Sequence, residues 1–340
     1  MERRKVQRTG GSTYIVSLPK KWVDGHNIQQ GDPVDVHYDP GGSVTIHPIG
    51  TKGSPARSLR LVIDTKKPTE HLVRRIISAY LAGYESIQVH APERIPMAHK
   101  QEIRRLGQTL IGIEIVEETQ SSITLQDLLD PVDFDITRGL DRMHQLARAM
   151  VGDALTALTE KDQDLADDVP QRDPEVDRLD WMIVKQFHLV SRSGPLARAL
   201  GLGPSEALHH LLVSHAIERI ADHASRLAEL ATQAPTLEIQ ASTRDAIRAQ
   251  GHRLLELLQD SFRAFQDADY NKANDTITEL QVAGQEAHAL LAKGKGLPAK
   301  TQVNLALLVK SLERVRSYSI DIAEAAIDHH LMREMAGATS

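Results

Sequence analysis

Apolar and polar positions alternate in different rhythms along the chain. In "TYIVSLP", Tyr14, Val16 and Leu18 fall on one face and Ile15 and Ser17 on the other. Val34, Val36 and Tyr38 repeat the pattern, Asp-Pro-Gly-Gly breaks it, and Val44 and Ile46 resume it. This period of two predicts short strands, the second pair forming a hairpin. Between them "PKKWVDGHNIQQGD" predicts one helical turn, opened by Pro19 and stopped by Gly25, followed by a turn at Gln30-Gly31-Asp32. Residues 58–127 predict β-α-β-α-β: a strand in "LRLVI", a helix with Leu72, Val73, Ile76, Ile77, Tyr80 and Leu81 at helical spacing, a strand in "SIQVH", a helix in "PMAHKQEIRRLGQTL", and extended pieces in "IGIEIVEE" and "SSITLQDLL". From 131 to about 335 the rhythm is helical. Val213, Ile217, Ile220, Ala224, Leu227 and Ala231 step by four and three, and Leu308, Leu312, Val315, Ser319, Ile322 and Ala326 repeat the steps 95 residues on. "ERIADHASRLAE" (218–229) over "ERVRSYSIDIAE" (313–324) marks an internal repeat, two copies of a three-helix unit of about 100 residues.

Composition breaks divide the 340 residues into three parts. "HPIGTKGSPARS" (47–58) is expected to be a linker, and "LLDPVDFD" (128–135) separates the α/β stretch from the helical one. The expected domains are 1–50, 58–130 and 131–335, with repeats over about 135–232 and 240–335. The first is too short to bury a stable core alone, so a homodimer sharing one core is expected. The chain has no cysteine, which excludes thiolate metal sites, disulfides and cysteine nucleophiles and suits a cytoplasmic protein. No apolar run approaches the length of a membrane span, so no membrane insertion is expected. Charge is split: residues 1–115 hold 17 Lys and Arg against 11 Asp and Glu, and the rest 23 against 35. A basic front suits a polyanion; an acidic back suits cations or solvent. Arg74, Arg75, Arg104 and Arg105 read as solvated helix faces.

The stretch "RTGGSTYIVSLPKKWVDGHNIQQGDPVDVHYDPGGSVTIHP" resembles the AbrB/MazE/SpoVT swapped-hairpin DNA-binding module. That resemblance implies a small β-barrel head formed by two chains, its basic first strand and turn facing double-stranded DNA. Carried over, the contacts are Arg3, Arg4, Lys5 and Arg8, with Gln7 and Ser12 as polar contacts and Lys20 and Lys21 as flanking ones. The chemistry is general: Lys and Arg neutralise phosphates and release counterions, and a rigid turn holds them in register.

"ERIADHA" resembles the E-x-x-x-D signature of PhoU, the phosphate-signalling regulator built of tandem three-helix bundles, and "DPEVDRLDWMIVKQ" (173–186) resembles the second helix of a PhoU repeat. The whole is thus expected to be a multidomain α+β chain: AbrB-like head, small α/β middle domain, all-α PhoU-like body. An AbrB-like head on a PhoU-like body is similar to archaeal phosphate-uptake regulators. The resemblance implies metal binding at Glu218 and Asp222, with Asp177 as partner. In the second repeat Glu313 is kept, Ser317 replaces the Asp, and Asp321 stands one turn on. Two carboxylates at i and i+4 share a helix face and suit a divalent metal or iron. A chain with 46 Asp and Glu also produces such pairs by chance. Asp173 before Pro174 reads as a helix N-cap. His209, His210, His215, His223, His329 and His330 show no paired ligand spacing and read as solvated or partly buried. No nucleophile elbow, Walker loop or H-E-x-x-H is present, so no enzyme is expected. The leading expectation is a DNA-binding transcriptional regulator of phosphate homeostasis, with a phosphate transporter ATPase or phosphate-sensing kinase as further partner. The alternative is an adaptor that inhibits a phosphate transporter, its head serving only to dimerise; a metal-dependent enzyme is the third reading.

Overall fold

The structure is a computed structural model and describes residues 3–38, 42–48, 57–233 and 240–337. Residues through 56 form one compact unit and 57 onward another. The break at Asp39-Pro40-Gly41 and most of the expected linker lie outside the described residues.

In the first unit β1 (Gln7–Thr9) pairs antiparallel with β2 (Thr13–Ile15), Arg8 opposite Tyr14 and Thr9 opposite Thr13, and Gly10 takes a left-handed φ of 67° in the turn. Helix α1 (Lys20–Gly25) follows Pro19, and β3 (Val34–Tyr38) pairs with β4 (Val44–Pro48). Two separate hairpins result, with no closed barrel among the described residues of one copy. The reason is visible in burial. None of the described residues of this unit is buried, and its apolar alternation lies open: Tyr14 is 68% exposed, Val16 50% and Tyr38 80%. So few residues cannot cover their own apolar faces.

The second unit begins with a four-stranded sheet, order β5-β6-β8-β7, made of β5 (Ser58–Val62), β6 (Ser86–His90), β7 (Ile113–Glu118) and β8 (Ser122–Asp127). β5 and β6 are parallel, joined through α2 (Thr69–Leu81), and α3 (Met97–Thr109) leads from β6 to β7. Both helices therefore start at the carboxyl edge of the parallel pair. Ile76, Tyr80, Ile87, Val89, Ile103, Ile123 and Leu125 form the core between the layers.

Six long helices follow: α4 (Ile136–Glu160), α5 (Gln163–Val190), α7 (Pro204–Gln233), α8 (Ala241–Asp267), α9 (Tyr270–Ala292) and α10 (Ala299–Gly337), with short α6 (Gly194–Leu200) before α7. α4, α5 and α7 pack as one bundle and α8, α9 and α10 as a second; α7 lies on α10 and α4 on α8. The four-three seam is the reason. Val213, Ile217, Ile220, Ala224 and Leu227 of α7 and Leu308, Leu312, Val315, Ser319, Ile322 and Ala326 of α10 are all buried. His223 and Tyr318, 95 residues apart, face each other with ring centroids 6.1 Å apart.

One reading is corrected. α5 starts at the Asp162 cap, whose carboxylate accepts from the Leu165 N–H at 3.0 Å, and runs through Pro170 and Pro174, so Asp173 is no N-cap. Each proline removes one helical hydrogen bond, and packing against α4 and α7 holds the helix together regardless. Residues 131–134 are held against α5: the Gln186 amide donates to the carbonyls of Pro131 (2.6 Å) and Phe134 (3.2 Å).

Candidate functional site: an acidic seam between two helices

Asp173, Asp177 and Asp180 step by four and three along α5, and His215, Glu218 and Asp222 step by three and four along α7. Each trio forms one stripe, and the packing of α5 on α7 brings the stripes together. Asp180 is buried, accepts a hydrogen bond from the Ser214 hydroxyl at 2.8 Å, and lies 3.0 Å from His215 Nδ1. Glu218 and Asp222 are half-buried, their side chains 19% and 26% exposed, and Arg219 bridges them at 3.3 and 3.1 Å.

Crowding of negative charge raises proton affinity along the seam. Glu218 is pushed up to about 7 by burial and by Asp222, and Asp177 to about 6 by burial and by Asp173. Asp173 is raised by burial and by Asp222. His215 is raised because the Asp180 carboxylate accepts its hydrogen bond. These are carboxylates held together against repulsion, the arrangement that a cation relieves. The seam supplies hard oxygen donors, which fit a hard cation in kind. In position they fit less closely: among the described residues no three Asp, Glu or His side chains converge on one point, and Arg219 stands between Glu218 and Asp222.

Of the predicted metal residues, Asp177, Glu218 and Asp222 come together. Glu313 and Asp321 do not join a third donor: Glu313 pairs with His288 Nδ1 at 2.8 Å, Ser317 donates to the Glu313 carbonyl at 2.9 Å, and Asp321 is raised by burial alone. Asp180, Arg219 and His215 were not singled out as members of the seam, although the steps of four and three along α5 carried the signal. The other histidines are structural neighbours. His209, His210 and His329 cluster near Phe265, and His329 Nε2 lies 3.4 Å from Glu206. The predicted DNA-facing residues Arg3, Arg4, Lys5, Gln7, Arg8, Ser12, Lys20 and Lys21 are all exposed. Arg8 donates to the Gly11 carbonyl and Arg4 to the Ser17 hydroxyl at 3.3 Å, which fixes both on the hairpin.

Residues 140–231, which span α5 and most of α4 and α7, match the family model of the PhoU domain. This segment is similar to a PhoU domain. The acidic seam lies inside it, and residues 7–54 match the model described as antidote-toxin recognition MazE, bacterial antitoxin. A phosphate-specific transport system accessory protein PhoU homolog of Xylella fastidiosa is 26% identical over 189 residues, 54% of this chain and 77% of that protein. One of Caulobacter vibrioides is 24% identical over 196 residues, 56% of this chain and 84% of that protein. The crystal structure of PhoU from Pseudomonas aeruginosa superposes with a TM-score of 0.52 at 23% identity, covering 59% of this chain and 96% of that one, which shows a shared fold for the helical part. No helix among the described residues is long and apolar enough to cross a membrane.

Proposed function

We propose that the chain is a two-fold DNA-binding regulator of phosphate uptake. Its first unit would grip duplex DNA through Arg3, Arg4, Lys5 and Arg8 of each copy, and its PhoU domain would report phosphate status. The observation that carries this reading is a basic, exposed hairpin on a unit in which none of the described residues is buried. Open apolar faces call for a second copy, and two copies place two sets of cations side by side. The names of the relatives supply the link to phosphate transport. In the PhoU domain, Asp177, Glu218 and Asp222 are the residues that would hold a divalent metal or iron, neutralising the seam in place of Arg219; a transporter ATPase or phosphate-sensing kinase would be the protein partner.

The test is fluorescence anisotropy of the full chain on duplex DNA across a salt series, with Arg4→Ala and Arg8→Ala beside it. Each phosphate contact contributes a slope of about 0.9 in log K against log salt, so one substitution in a two-fold dimer lowers the slope by about 1.8. Binding that is weak and indifferent to both substitutions overturns the DNA reading in favour of the adaptor that acts by protein contact alone.

A further inference from the structure

A crevice of about 470 Å³ opens in the α/β part, at the carboxyl edge of β5, between that strand and the start of α2, with α3 at its back. In open α/β sheets this edge is where ligands settle, because helix N-termini gather there. The local sequence builds the crevice from cations. Lys67, Arg74 and Arg75 line it together with His71, against a single carboxylate, Asp64. Asp64 is already engaged, accepting from the Lys66 N–H at 3.1 Å and so shaping the loop. Arg75 donates to the Val62 carbonyl at 3.1 Å, which holds its guanidinium at the end of the strand. Among the described residues no carboxylate pairs with Lys67, His71 or Arg74. Arg104 and Arg105 differ: they are paired to Glu118 and Glu102.

Two further features point to an anion. α2 is preceded by Pro68, which gives no side-chain cap; the His71 N–H is taken by the Pro68 carbonyl at 3.1 Å, so the helix start contributes the positive end of its dipole. His99, in the first turn of α3, lines the same crevice; it is only 6% exposed, and its Nδ1 has no hydrogen-bond partner. A buried imidazole nitrogen left unmatched is costly in a finished core, and a bound group that supplies a partner removes the cost.

We propose that this crevice is a binding site for a phosphoryl group, carried by inorganic phosphate or by a phosphomonoester. Arg74 and Lys67 meet the anionic oxygens, Arg75 sets the edge, the start of α2 adds the positive end of its dipole, and His99 hydrogen-bonds from the floor. The volume exceeds what inorganic phosphate fills, which leaves room for an organic body beside the phosphoryl group. The site stands on the α/β part alone and is independent of DNA binding by the first unit.

Isothermal titration calorimetry on the full chain tests it, with sodium phosphate, glycerol phosphate and adenosine monophosphate as probes and glycerol and adenosine as controls. The expected result is binding of at least one phosphoryl compound, no binding of the controls, and affinity lowered by about tenfold or more in Arg74→Glu and in Lys67→Glu. Both residues are exposed, so unchanged thermal unfolding without ligand shows that the variants fold. Binding of inorganic phosphate identifies the free ion as the source; binding of an ester alone identifies an organic phosphate. Absence of binding by all three probes, or binding that both variants retain, overturns the proposal.

Discussion

Glu218 is held where ionisation is unfavourable, so Glu218→Gln is expected to stabilise the protein at alkaline pH. Burial and the neighbouring Asp222 raise its carboxyl from an ordinary 4.5 to about 7. The sign follows from linkage. Between pH 4.5 and 7 the folded chain retains a proton that the unfolded chain has lost, so folded stability falls as pH rises through that window and the loss is complete above 7. At about 1.4 kcal/mol per pKa unit the full cost is about 3 kcal/mol, and allowance for the residual exposure and for Arg219 lowers it to about 2 kcal/mol. The amide of Gln has the same shape and carries no charge. At pH 8 the variant is expected to melt about 5 °C above the parent chain, given roughly 2–4 °C per kcal/mol, and at pH 4 the two are expected to coincide within about 1 °C. Differential scanning calorimetry at both pH values reads the difference. Equal melting temperatures at pH 8, or a difference that does not grow with pH, would refute the electrostatic account of the seam. Repeating the pair of scans with Mg²⁺ or Mn²⁺ separates the cation reading: bound metal stabilises the parent and leaves Glu218→Gln unmoved.

Lys185→Met strands the buried Asp127 carboxylate that Lys185 pairs with, at an expected cost of about 3–5 kcal/mol in urea unfolding; adding Asp127→Leu is expected to recover much of it, and no recovery would mean that shape rather than charge dominates there. Gly112→Ala places a Cβ 2.6 Å from Leu129 Cβ at a φ of 83°, so a loss of roughly 2–3 kcal/mol is expected by the same assay, and a neutral result would contradict the turn geometry. Val36→Asp puts a charge on the open apolar hairpin of the first unit. If two copies share a core there, light scattering will show a shift from dimer to monomer; a dimer that survives the change would place the contact elsewhere.

Periodicity revealed what burial on one face demands. The α7 and α10 seams and the strands β5 and β6 could be read from the sequence because a helix or strand that hides one side must repeat its apolar residues at 3.6 or at 2. The acidic seam was half legible. Glu218 and Asp222 stood out by resemblance, yet whether the polar face of α7 meets solvent or another polar face is a tertiary fact, and Asp173 was misread because a proline inside a helix looks locally like a helix start. The α/β crevice could not be read at all. Arg74 and Arg75 look like a solvated helix face until Lys67, the end of β5 and His99 on another helix are brought against them, and no spacing along the chain encodes that meeting. In the first unit the alternation of Tyr14, Val16, Val36 and Tyr38 signals a buried face, but among the described residues of that unit none covers it.

The boundary that composition suggests near 130 is bridged by one helix serving two cores. Val176, Ile183 and Val190 of α5 lie in the helical core, whereas Met182 is buried in the α/β core. Its sulfur receives a hydrogen bond from the Tyr80 hydroxyl at 3.2 Å, and Lys185 of the next turn lies 4.6 Å above the Tyr80 ring while paired with Asp127. A helix with two adjacent apolar faces, each in a different core, cannot be shared by two separable domains, since parting them would expose Met182 and break the Lys185–Asp127 pair. The α/β part and the first bundle therefore form one mechanical body. The acidic stripe Asp173, Asp177 and Asp180 ends within one turn of Met182 on the same helix. A cation that neutralises the stripe and a phosphoryl group bound at β5 would thus act on a common rigid element, since α5 carries half of the acidic seam and packs into both the helical core and the α/β core.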